Sequence, residues 1–265
     1  MKFPLFPICC AAFAGMNVAA LAGYPVSAPA SAAAASPSAS VALAAPVAKP
    51  TPVVRDENTP ITPAIKDSKR HTDFLNRIQD GEIDVLFLGD SITDFWPRRG
   101  EVSWLKFAPY HPANFGISGD RTEHLLWRVQ NGELEGFKPK VTVIMIGTNN
   151  VGAPANDKPE WAANGVKKIV ETVQEKLPQT KILLLGVFPR GAAGSAERKQ
   201  VENLNKLIAP LGDGKTVRYM DISKVFLDAQ GELIPETMAD TVHPSAKGYD
   251  GWYAAIQPVL DEMMK

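Results

Sequence analysis

One serine, Ser91, has a sequence context in which it could act as a nucleophile. An apolar run over residues 85–88 stops at Gly89, and Asp90 and Ser91 follow at once. Serine and aspartate are also common caps of helix N-termini, so these residues could simply begin the next helix. As a nucleophile, Ser91 would attack an acyl carbon from the end of a buried strand. The G-x-S-x-G motif of the usual α/β-hydrolases is absent, because position 93 is a threonine.

A serine nucleophile needs a base, and His243 is the best candidate among the four histidines. It stands in the pentapeptide DTVHP, three residues after Asp240, so that one loop can bring the carboxylate to the imidazole. Such a pairing sets the tautomer of the ring and stabilises its charged form. The alternative is an aspartate that caps a helix beside an exposed histidine. The other histidines, His71, His111 and His124, are predicted in a polar helix, a proline-flanked loop and a helix beside two leucines.

Two further stretches offer hydrogen-bond donors for an oxyanion. GTNN follows an apolar run and carries the side-chain amide of Asn149, and NFGISGD carries the backbone N–H of Gly119. The N–H of Ser91 is a third donor, and one donor of this kind is typically worth about a hundred- to a thousandfold in rate. Structural alternatives exist, because asparagine is common in turns. NFGISGD could also suggest a phosphate loop, but it lacks the G-x-G-x-x-G pattern and the P-loop lysine.

Charged residues near these stretches have two possible roles. Asp120, Arg121 and Arg190 could contact a substrate, or they could form ion pairs at the surface. The surface role is favoured for Arg190, because the segment PRGAAGSAER has the composition of a mobile loop. Asp90 adjoins the nucleophile and the strand, so we expect it to form structural hydrogen bonds and not to be the acid of the triad.

The elements that must position these residues alternate along the chain. Continuous apolar runs predict strands buried on both faces, as in a parallel sheet, and shorter runs predict two more. The predicted strands are residues 83–88, 113–116, 141–146, 181–187 and 217–221. Helical spacing of apolar residues predicts helices over residues 122–129, 160–177, 195–208 and 245–264. This alternation indicates an α/β fold, a three-layer α/β/α sandwich with a mainly five-stranded parallel sheet. Ligands of such folds bind at the carboxyl ends of the strands, where the candidate residues lie.

The N-terminal part of the chain is predicted to lie outside this domain. Residues 1–22 have a lysine, an apolar stretch and small residues before Gly23, which is the pattern of a secretory signal peptide. An uncleaved membrane anchor is the alternative, although the apolar stretch is short for a span. Residues 23–63 are rich in Ala, Pro and Ser and are expected to form a flexible linker. Residues 64–265 then form one domain.

The composition argues against two further classes of function, a thiol-dependent enzyme and a nucleic-acid-binding protein. Both cysteines, Cys9 and Cys10, lie in the predicted signal peptide, so the mature chain would have no thiol nucleophile. A lipid anchor on one of them is an alternative. The formal net charge is −1, and no basic cluster indicates a nucleic-acid surface.

Four stretches in this order resemble the SGNH, or GDSL-type, hydrolase family. They are GDSI with Ser91, NFGISGD with Gly119, GTNN with Asn149, and DTVHP with Asp240 and His243. The sequence NFGISGDRTEHLLWRVQNGELEGFKP is similar to the branch that contains the brain-type platelet-activating-factor acetylhydrolase catalytic subunits. One departure is a serine at position 118, where that branch usually has glycine. The resemblance implies a flavodoxin-like SGNH fold and an esterase that needs no metal or cofactor.

We therefore expect an exported serine esterase, periplasmic or secreted, that hydrolyses short-chain acyl esters, acetyl esters in particular. The preference for short acyl groups is implied by the resemblance. The expected substrate is a small-molecule or carbohydrate acyl ester, with no nucleic-acid partner and no stable membrane span in the mature protein. The alternatives are a lysophospholipase or thioesterase for longer acyl chains, and a non-catalytic carbohydrate-binding relative. The sequence makes no prediction of the oligomeric state.

Overall fold

A single parallel sheet forms the centre of the domain. The computed structural model describes residues 54–265. The five strands lie in the order β2-β1-β3-β4-β5, and every neighbouring pair is parallel. The strands are β1 (Val85–Gly89), β2 (Pro112–Gly116), β3 (Val141–Met145), β4 (Lys181–Leu185) and β5 (Val217–Met220). Each predicted strand is present, with ends that shift by up to two residues.

The apolar runs form strands because both faces of the sheet are covered. In β1, Leu86 and Leu88 pack into the core on one face, while Val85 and Phe87 pack into the core on the other. Successive side chains of a strand point to opposite faces of the sheet. In a strand buried on both sides, no position faces solvent, so its sequence is a continuous apolar run.

Helices cover the sheet on both sides. The first face carries α1 (Ser68–Gln79), α5 (Thr122–Gln130), α7 (Pro159–Lys176) and α8 (Ala196–Ile208). The second face carries α2 (Ser91–Asp94), α3 (Trp96–Arg99), α4 (Glu101–Leu105) and α9 (Ala246–Met263). A short helix, α6 (Thr148–Val151), follows β3, and four 3-10 turns are at Thr59–Ile61, Ala108–Tyr110, Ala209–Leu211 and Ser223–Val225. The predicted three-layer α/β/α sandwich is confirmed.

Capping side chains set where several helices begin. Asp67 accepts a hydrogen bond from the Arg70 amide at 2.9 Å at the start of α1, and Ser245 accepts one from the Gly248 amide at 3.2 Å at the start of α9. These bonds satisfy N–H groups that have no acceptor inside the helix.

The strand order brings the candidate residues together at one edge of the sheet. In a sheet of this order the chain leaves β1 towards β2 and later returns to the other side of β1 with β3, so the connections diverge between β1 and β3. Ser91 follows β1 and Asn149 follows β3. Both therefore lie at the carboxyl edge beside this switch point, where ligands bind in such folds.

The linker prediction is wrong at its C-terminal end. Residues 55–66, which we call the N-terminal strap, pack on the domain: Pro60 is buried, and the Arg55 side chain bonds to Asp157 and Glu123. The strap contains prolines like the preceding residues, but it also carries charged residues, and two of its charged side chains and a buried proline have partners across the fold. The predicted signal peptide and the linker up to residue 53 lie outside the described residues. Within residues 54–265, no helix combines the length and apolar character needed to cross a membrane.

Candidate active site

Ser91 is the first residue of α2 and lies directly after the end of β1. The turn between them is tight, because a Cβ at Gly89 would lie 2.1 Å from the Thr93 Oγ1 and 2.7 Å from the Met145 carbonyl oxygen. Glycine is therefore the residue that allows α2 to begin so close to the sheet. Ser91 is 4% exposed, so its hydroxyl is reached only from the carboxyl edge.

Ser91, His243 and Asp240 form one hydrogen-bonded chain. The Ser91 Oγ lies 2.9 Å from the His243 Nε2, across 152 residues of sequence. The His243 Nδ1 lies 2.9 Å from the Asp240 Oδ2 and 3.1 Å from its Oδ1. When Nδ1 carries the proton, Nε2 is free to accept the serine proton. A hydroxyl, an imidazole and a carboxylate in this order can generate an oxygen nucleophile.

Asp240 is held ionised by its own loop. Partial burial by itself raises the pKa of Asp240, but hydrogen bonds from the His243 amide and ring and from the Val242 amide outweigh it, so the pKa lies below its ordinary value. Both backbone amides donate to Oδ1 at 2.7 Å. The Asp240 side chain is 50% exposed and that of His243 is 23% exposed, so the pair lies at the surface of the site and Ser91 at its base.

An aromatic ring with cationic neighbours contacts the imidazole, and the sequence did not indicate it. The Phe95 ring centroid lies 5.3 Å from that of His243. The guanidinium carbons of Arg99 and Arg98 lie 4.4 and 5.1 Å from the Phe95 centroid. Phe95 is one turn beyond Ser91, so its position next to His243 depends on the packing of a distant loop.

The two loops with predicted oxyanion donors are joined to each other. The Asn149 Nδ2 donates to the Asp120 carbonyl oxygen at 2.9 Å. An amide carries two hydrogens, so the second remains for another acceptor. Gly119 precedes Asp120 and has a φ of +76°, a left-handed conformation that glycine adopts without strain. The N–H of Ser91 belongs to the first turn of α2, which has no intrahelical acceptor.

Asp90 is buried beneath the nucleophile. It is 0% exposed, and its Oδ1 accepts a hydrogen bond from the Ile92 amide at 3.0 Å, which agrees with the predicted structural role. Within residues 54–265, its Oδ2 has no hydrogen-bond partner. Burial in this setting raises the pKa of Asp90 to about 7, so a substantial fraction is protonated at neutral pH.

Asp120 faces the interior and does not form a surface ion pair. It is 0% exposed, and its carboxylate bonds to Arg128 at 2.9 Å and to Lys66 at 3.3 Å. Burial raises the pKa of Asp120 despite these two cations. The Asp120 carboxylate therefore has two cationic partners inside the domain, and its contact with a substrate stays a prediction. Lys66 lies near the start of the predicted domain, and no sequence signal linked it to this loop.

Arg121 forms an ion pair within α5. Its Nε donates to the Glu123 Oε1 at 2.6 Å, and its amide donates to the His124 Nδ1 at 3.0 Å. Burial, together with the charge of Arg121, lowers the pKa of His124 to about 4. Arg121 thus takes the pairing role and caps the helix that follows Gly119.

The ion pair predicted for Arg190 is present with the exposed Glu197, 3.8 Å from its Nη2, but the arginine side chain itself is largely buried. Its side chain is 11% exposed, and its guanidinium donates to the Thr148 carbonyl at 3.1 Å. Thr148 precedes Asn149, so Arg190 stabilises the loop that carries the Asn149 side-chain amide. The glycine-rich sequence suggested mobility, but the Arg198 guanidinium also donates to the Arg190 and Gly191 carbonyls, at 3.2 and 2.6 Å.

The remaining histidines have other partners. The Nδ1 of His71 lies 3.1 Å from the Glu133 Oε1 in a buried contact, and that of His111 lies 2.8 Å from the Asp84 Oδ2. Ligand atoms of Glu82, Asp84 and His111 lie within 4.8 Å of one another. These three side chains could coordinate a cation, but they lie at the opposite end of β1 from Ser91. The Lys140 Nζ, 3.0 Å from Asp84, already supplies a positive charge there.

A cavity of about 370 Å³ opens beside the Gly119 loop. Its lining includes Ser118, which precedes Gly119, and Arg98, which contacts the Phe95 ring. Arg70 and Asp94 also line it and form an ion pair at 3.4 Å. The cavity thus presents hydrogen-bonding groups next to the donors of the site.

Comparison with known proteins agrees with this arrangement. The profile of the GDSL-like Lipase/Acylhydrolase family matches residues 87–250, a range that contains all the predicted triad and oxyanion residues. Platelet-activating factor acetylhydrolase IB subunit alpha1 from Bos taurus is 34% identical over 216 residues, which cover 81% of this chain and 89% of that protein.

Solved structures share the fold at lower identity. A GDSL-like lipase from Bacteroides thetaiotaomicron superposes with a TM-score of 0.62 at 20% identity, covering 72% of this chain and 97% of that one. A carbohydrate acetylesterase from Sinorhizobium meliloti superposes with a TM-score of 0.55 at 18% identity, covering 69% of this chain and 100% of that one.

Proposed function

Because the chain belongs to the GDSL-like lipase/acylhydrolase family and is an ester-hydrolysing enzyme, we propose that it hydrolyses short-chain acyl esters with Ser91, His243 and Asp240 as its catalytic triad. The observation that carries this proposal is the 2.9 Å contact between the Ser91 Oγ and the His243 Nε2. It is supported by the 2.9 Å contact of the opposite ring nitrogen with Asp240.

In the acylation step, the Ser91 Oγ attacks the ester carbonyl carbon while its proton moves to the His243 Nε2. The carbonyl oxygen becomes an oxyanion, which accepts hydrogen bonds from the N–H groups of Ser91 and Gly119 and from the Asn149 amide. The bond between the acyl carbon and the alcohol oxygen then breaks, and the alcohol leaves with the proton from His243. Asp240 stays ionised and stabilises the imidazolium.

In the deacylation step, water takes the place of the alcohol. His243 accepts a proton from the water as its oxygen attacks the acyl carbon, and the same donors stabilise the second oxyanion. The bond to Ser91 breaks, the serine regains the proton, and the carboxylic acid is released. These two steps use only groups of this chain and one water.

The acyl group is proposed to be short, with acetyl preferred. Two relatives support this: one is named an acetylhydrolase and one a carbohydrate acetylesterase. Export to the periplasm or the medium, from the signal-peptide pattern of residues 1–22, would place the enzyme where polysaccharide esters occur.

Replacement of the proposed nucleophile tests the mechanism. For hydrolysis of p-nitrophenyl acetate, Ser91→Ala should lower kcat by at least about a thousandfold, because no other group can form the acyl-enzyme. Ser68→Ala, in a serine on the exposed start of α1, is the matched control and should keep wild-type activity. A fluorophosphonate should label the wild type at Ser91. Activity of Ser91→Ala close to that of the wild type would remove Ser91 from the mechanism.

A series of p-nitrophenyl esters tests the acyl group. The kcat/KM should be highest for acetyl and should fall for butyryl and octanoyl esters. A maximum at octanoyl would instead support the lysophospholipase or thioesterase alternative. Acetylated oligosaccharides then test the alcohol side, with released acetate as the measurement.

A further inference from the structure

We propose that the N-terminal strap holds the two loops that supply oxyanion donors, with Lys66 and Arg55 as positioning residues for ester hydrolysis. This inference rests on the proposed function. The strap, residues 55–66, precedes the range matched by the family profile, which begins at residue 87. Lys66, at one end of the strap, contacts the loop that carries Gly119. Arg55, at the other end, is connected to the loop that carries Asn149.

Lys66 contacts the residues on both sides of Gly119. Its Nζ donates to the Ser118 carbonyl oxygen and lies 3.3 Å from the Asp120 Oδ1. It is also the group nearest to Gly119 on its open side, because a Cβ built on that glycine would lie 3.4 Å from Nζ. The Asp120 carbonyl in turn accepts the hydrogen bond from Asn149. One ammonium group thus determines where the Gly119 N–H points and where the Asn149 amide is anchored.

Arg55 acts on the second loop through two buried carboxylates. Its Nε and Nη2 lie 2.5 and 2.6 Å from the two oxygens of Asp157, and its Nη1 lies 2.8 Å from the Glu123 Oε1. The side chains of Asp157 and Glu123 are 0% and 2% exposed. Both carboxylates accept from the Asn150 Nδ2, at 2.9 and 3.2 Å. Asn150 is the neighbour of Asn149.

The middle of the strap ties the same region to the helix after Gly119. The Thr122 hydroxyl donates to the Pro60 carbonyl at 3.0 Å, and the Ala64 amide donates to the Glu123 carbonyl at 3.0 Å. The Thr122 amide donates to the Asn150 Oδ1 at 2.9 Å, which closes the connection between the two loops. The strap therefore crosses the start of α5 and joins the loop after β2 to the loop after β3.

Charge explains why the strap is needed. A carboxylate that is buried needs a cation or several donors to stay ionised. The Arg55 guanidinium and a second one from Arg121 offset the burial of Glu123 and hold its pKa at about 2. Among the described residues, Asp157 has no ionic partner other than Arg55 within 4 Å. Without Arg55, the buried Asp157 carboxylate would have no counter-charge, and its hydrogen bond with Asn150 would be disturbed.

Small displacements of the donors are expected to affect catalysis more than binding. The oxyanion forms only along the reaction path, so its donors stabilise the transition state and contribute little to ester binding. A misplacement of about 1 Å can cost on the order of a hundredfold in rate. Loss of either strap contact should therefore lower kcat about ten- to a hundredfold and change KM less than about threefold.

The test uses point variants of the full chain, assayed with p-nitrophenyl acetate. Lys66→Met removes the ammonium with little change in length, and Lys66→Arg restores a cation. Arg55→Gln and Arg55→Lys form the second pair. Arg218→Gln is the matched control, because Arg218 forms an exposed 2.7 Å ion pair with Glu262 on β5 and α9 and should keep wild-type kcat. Titration with a fluorophosphonate counts the competent sites, so that kcat refers to folded enzyme.

The proposal is supported if Lys66→Met loses kcat at nearly constant KM and Lys66→Arg recovers most of it. A fully titrated Lys66→Met enzyme with wild-type kcat would overturn it. If Arg55→Gln does not fold, the Lys66 pair decides, because that side chain is 31% exposed and its loss leaves the core intact. Ser91→Ala in the same assay separates the two ideas: if it is inactive while Lys66→Met is fully active, only the strap proposal fails. If Ser91→Ala is active, the triad itself fails.

Discussion

Asp240 contacts His243 in two ways that can be separated by one substitution. Its Oδ1 accepts hydrogen bonds from the backbone amides of residues 242 and 243, which shapes the loop, and its Oδ2 accepts a hydrogen bond from the Nδ1–H of the imidazole. Because these hydrogen bonds keep the pKa of Asp240 low, the carboxylate stays charged while His243 gains and loses its proton. The loop geometry and the charge are therefore two separate contributions of one residue.

At the residue scale, we predict that Asp240→Asn keeps the fold and loses activity. The Asn Oδ1 can still accept both backbone amides, but its NH₂ group would face Nδ1 and favour the tautomer with the proton on Nε2. The kcat should fall roughly a thousand- to ten-thousandfold, as for this change in other triads. The melting temperature serves as the control and should move by only a few degrees. A fall in kcat of less than tenfold would contradict the assigned role.

At the scale of elements, the step from β1 to α2 decides where Ser91, the proposed nucleophile, lies. A short helix begins two residues after the strand ends, and the C-terminal helix holds it in place: the Tyr249 hydroxyl of α9 donates to the Ile92 carbonyl at 2.7 Å. Gly89 makes this short step possible because Thr93 and the β3 backbone occupy the space of a side chain. The strand end and the helix start are thus one packed unit.

We predict that Gly89→Ala destabilises the protein and lowers its activity. The added methyl would overlap the Thr93 side chain and the Met145 carbonyl, so α2 or β3 would have to shift, at a cost of at least about 2 kcal/mol. Gly231→Ala is the control: no atom lies within 4 Å of its Cβ, so only its left-handed backbone, at φ +80°, should cost about 1 kcal/mol. Urea unfolding measures both. Equal costs at the two positions would show that crowding at Gly89 is not important.

At the scale of the whole molecule, stability should depend on pH through the buried Asp90. Burial raises the pKa of its carboxyl from the ordinary 3.8 to about 7 in the folded protein. Below about pH 4 it is protonated in both the folded and the unfolded chain. Between pH 4 and 7 the unfolded chain releases the proton while the folded protein retains it. This group therefore lowers the free energy of unfolding as pH rises, and the effect levels off above pH 7.

Asp90→Asn should remove this dependence. Its Oδ1 can still accept the Ile92 amide, but the side chain no longer titrates. The stability of the variant relative to the wild type should therefore increase from pH 5 to pH 8 by about 2–3 kcal/mol. Urea unfolding of both proteins at the two pH values measures the difference. An offset that is the same at pH 5 and pH 8 would mean that Asp90 titrates normally.

The sequence by itself determined the local part of this protein. Continuous apolar runs predicted the three central strands, because a strand buried on both faces has a composition that does not depend on its neighbours. Two shorter stretches predicted the edge strands β2 and β5. The candidate residues Ser91, Gly119 and Asn149 were placed at strand ends for the same reason. Asp240 and His243 were paired because three residues separate them and one loop can hold both.

Only the tertiary structure decided what distant residues do to one another. The 2.9 Å contact of Ser91 with His243 depends on the order of strands and on the return of the chain before α9. The contacts of Lys66 and Arg190 were not predicted, because a lysine in a proline-rich segment and an arginine in a glycine-rich loop have compositions typical of mobile chain. Their partners, the Ser118 and Thr148 carbonyls, are 52 and 42 residues away. Composition determines the conformational preference of an isolated segment, whereas the burial of these charges depends on the segments that pack against them.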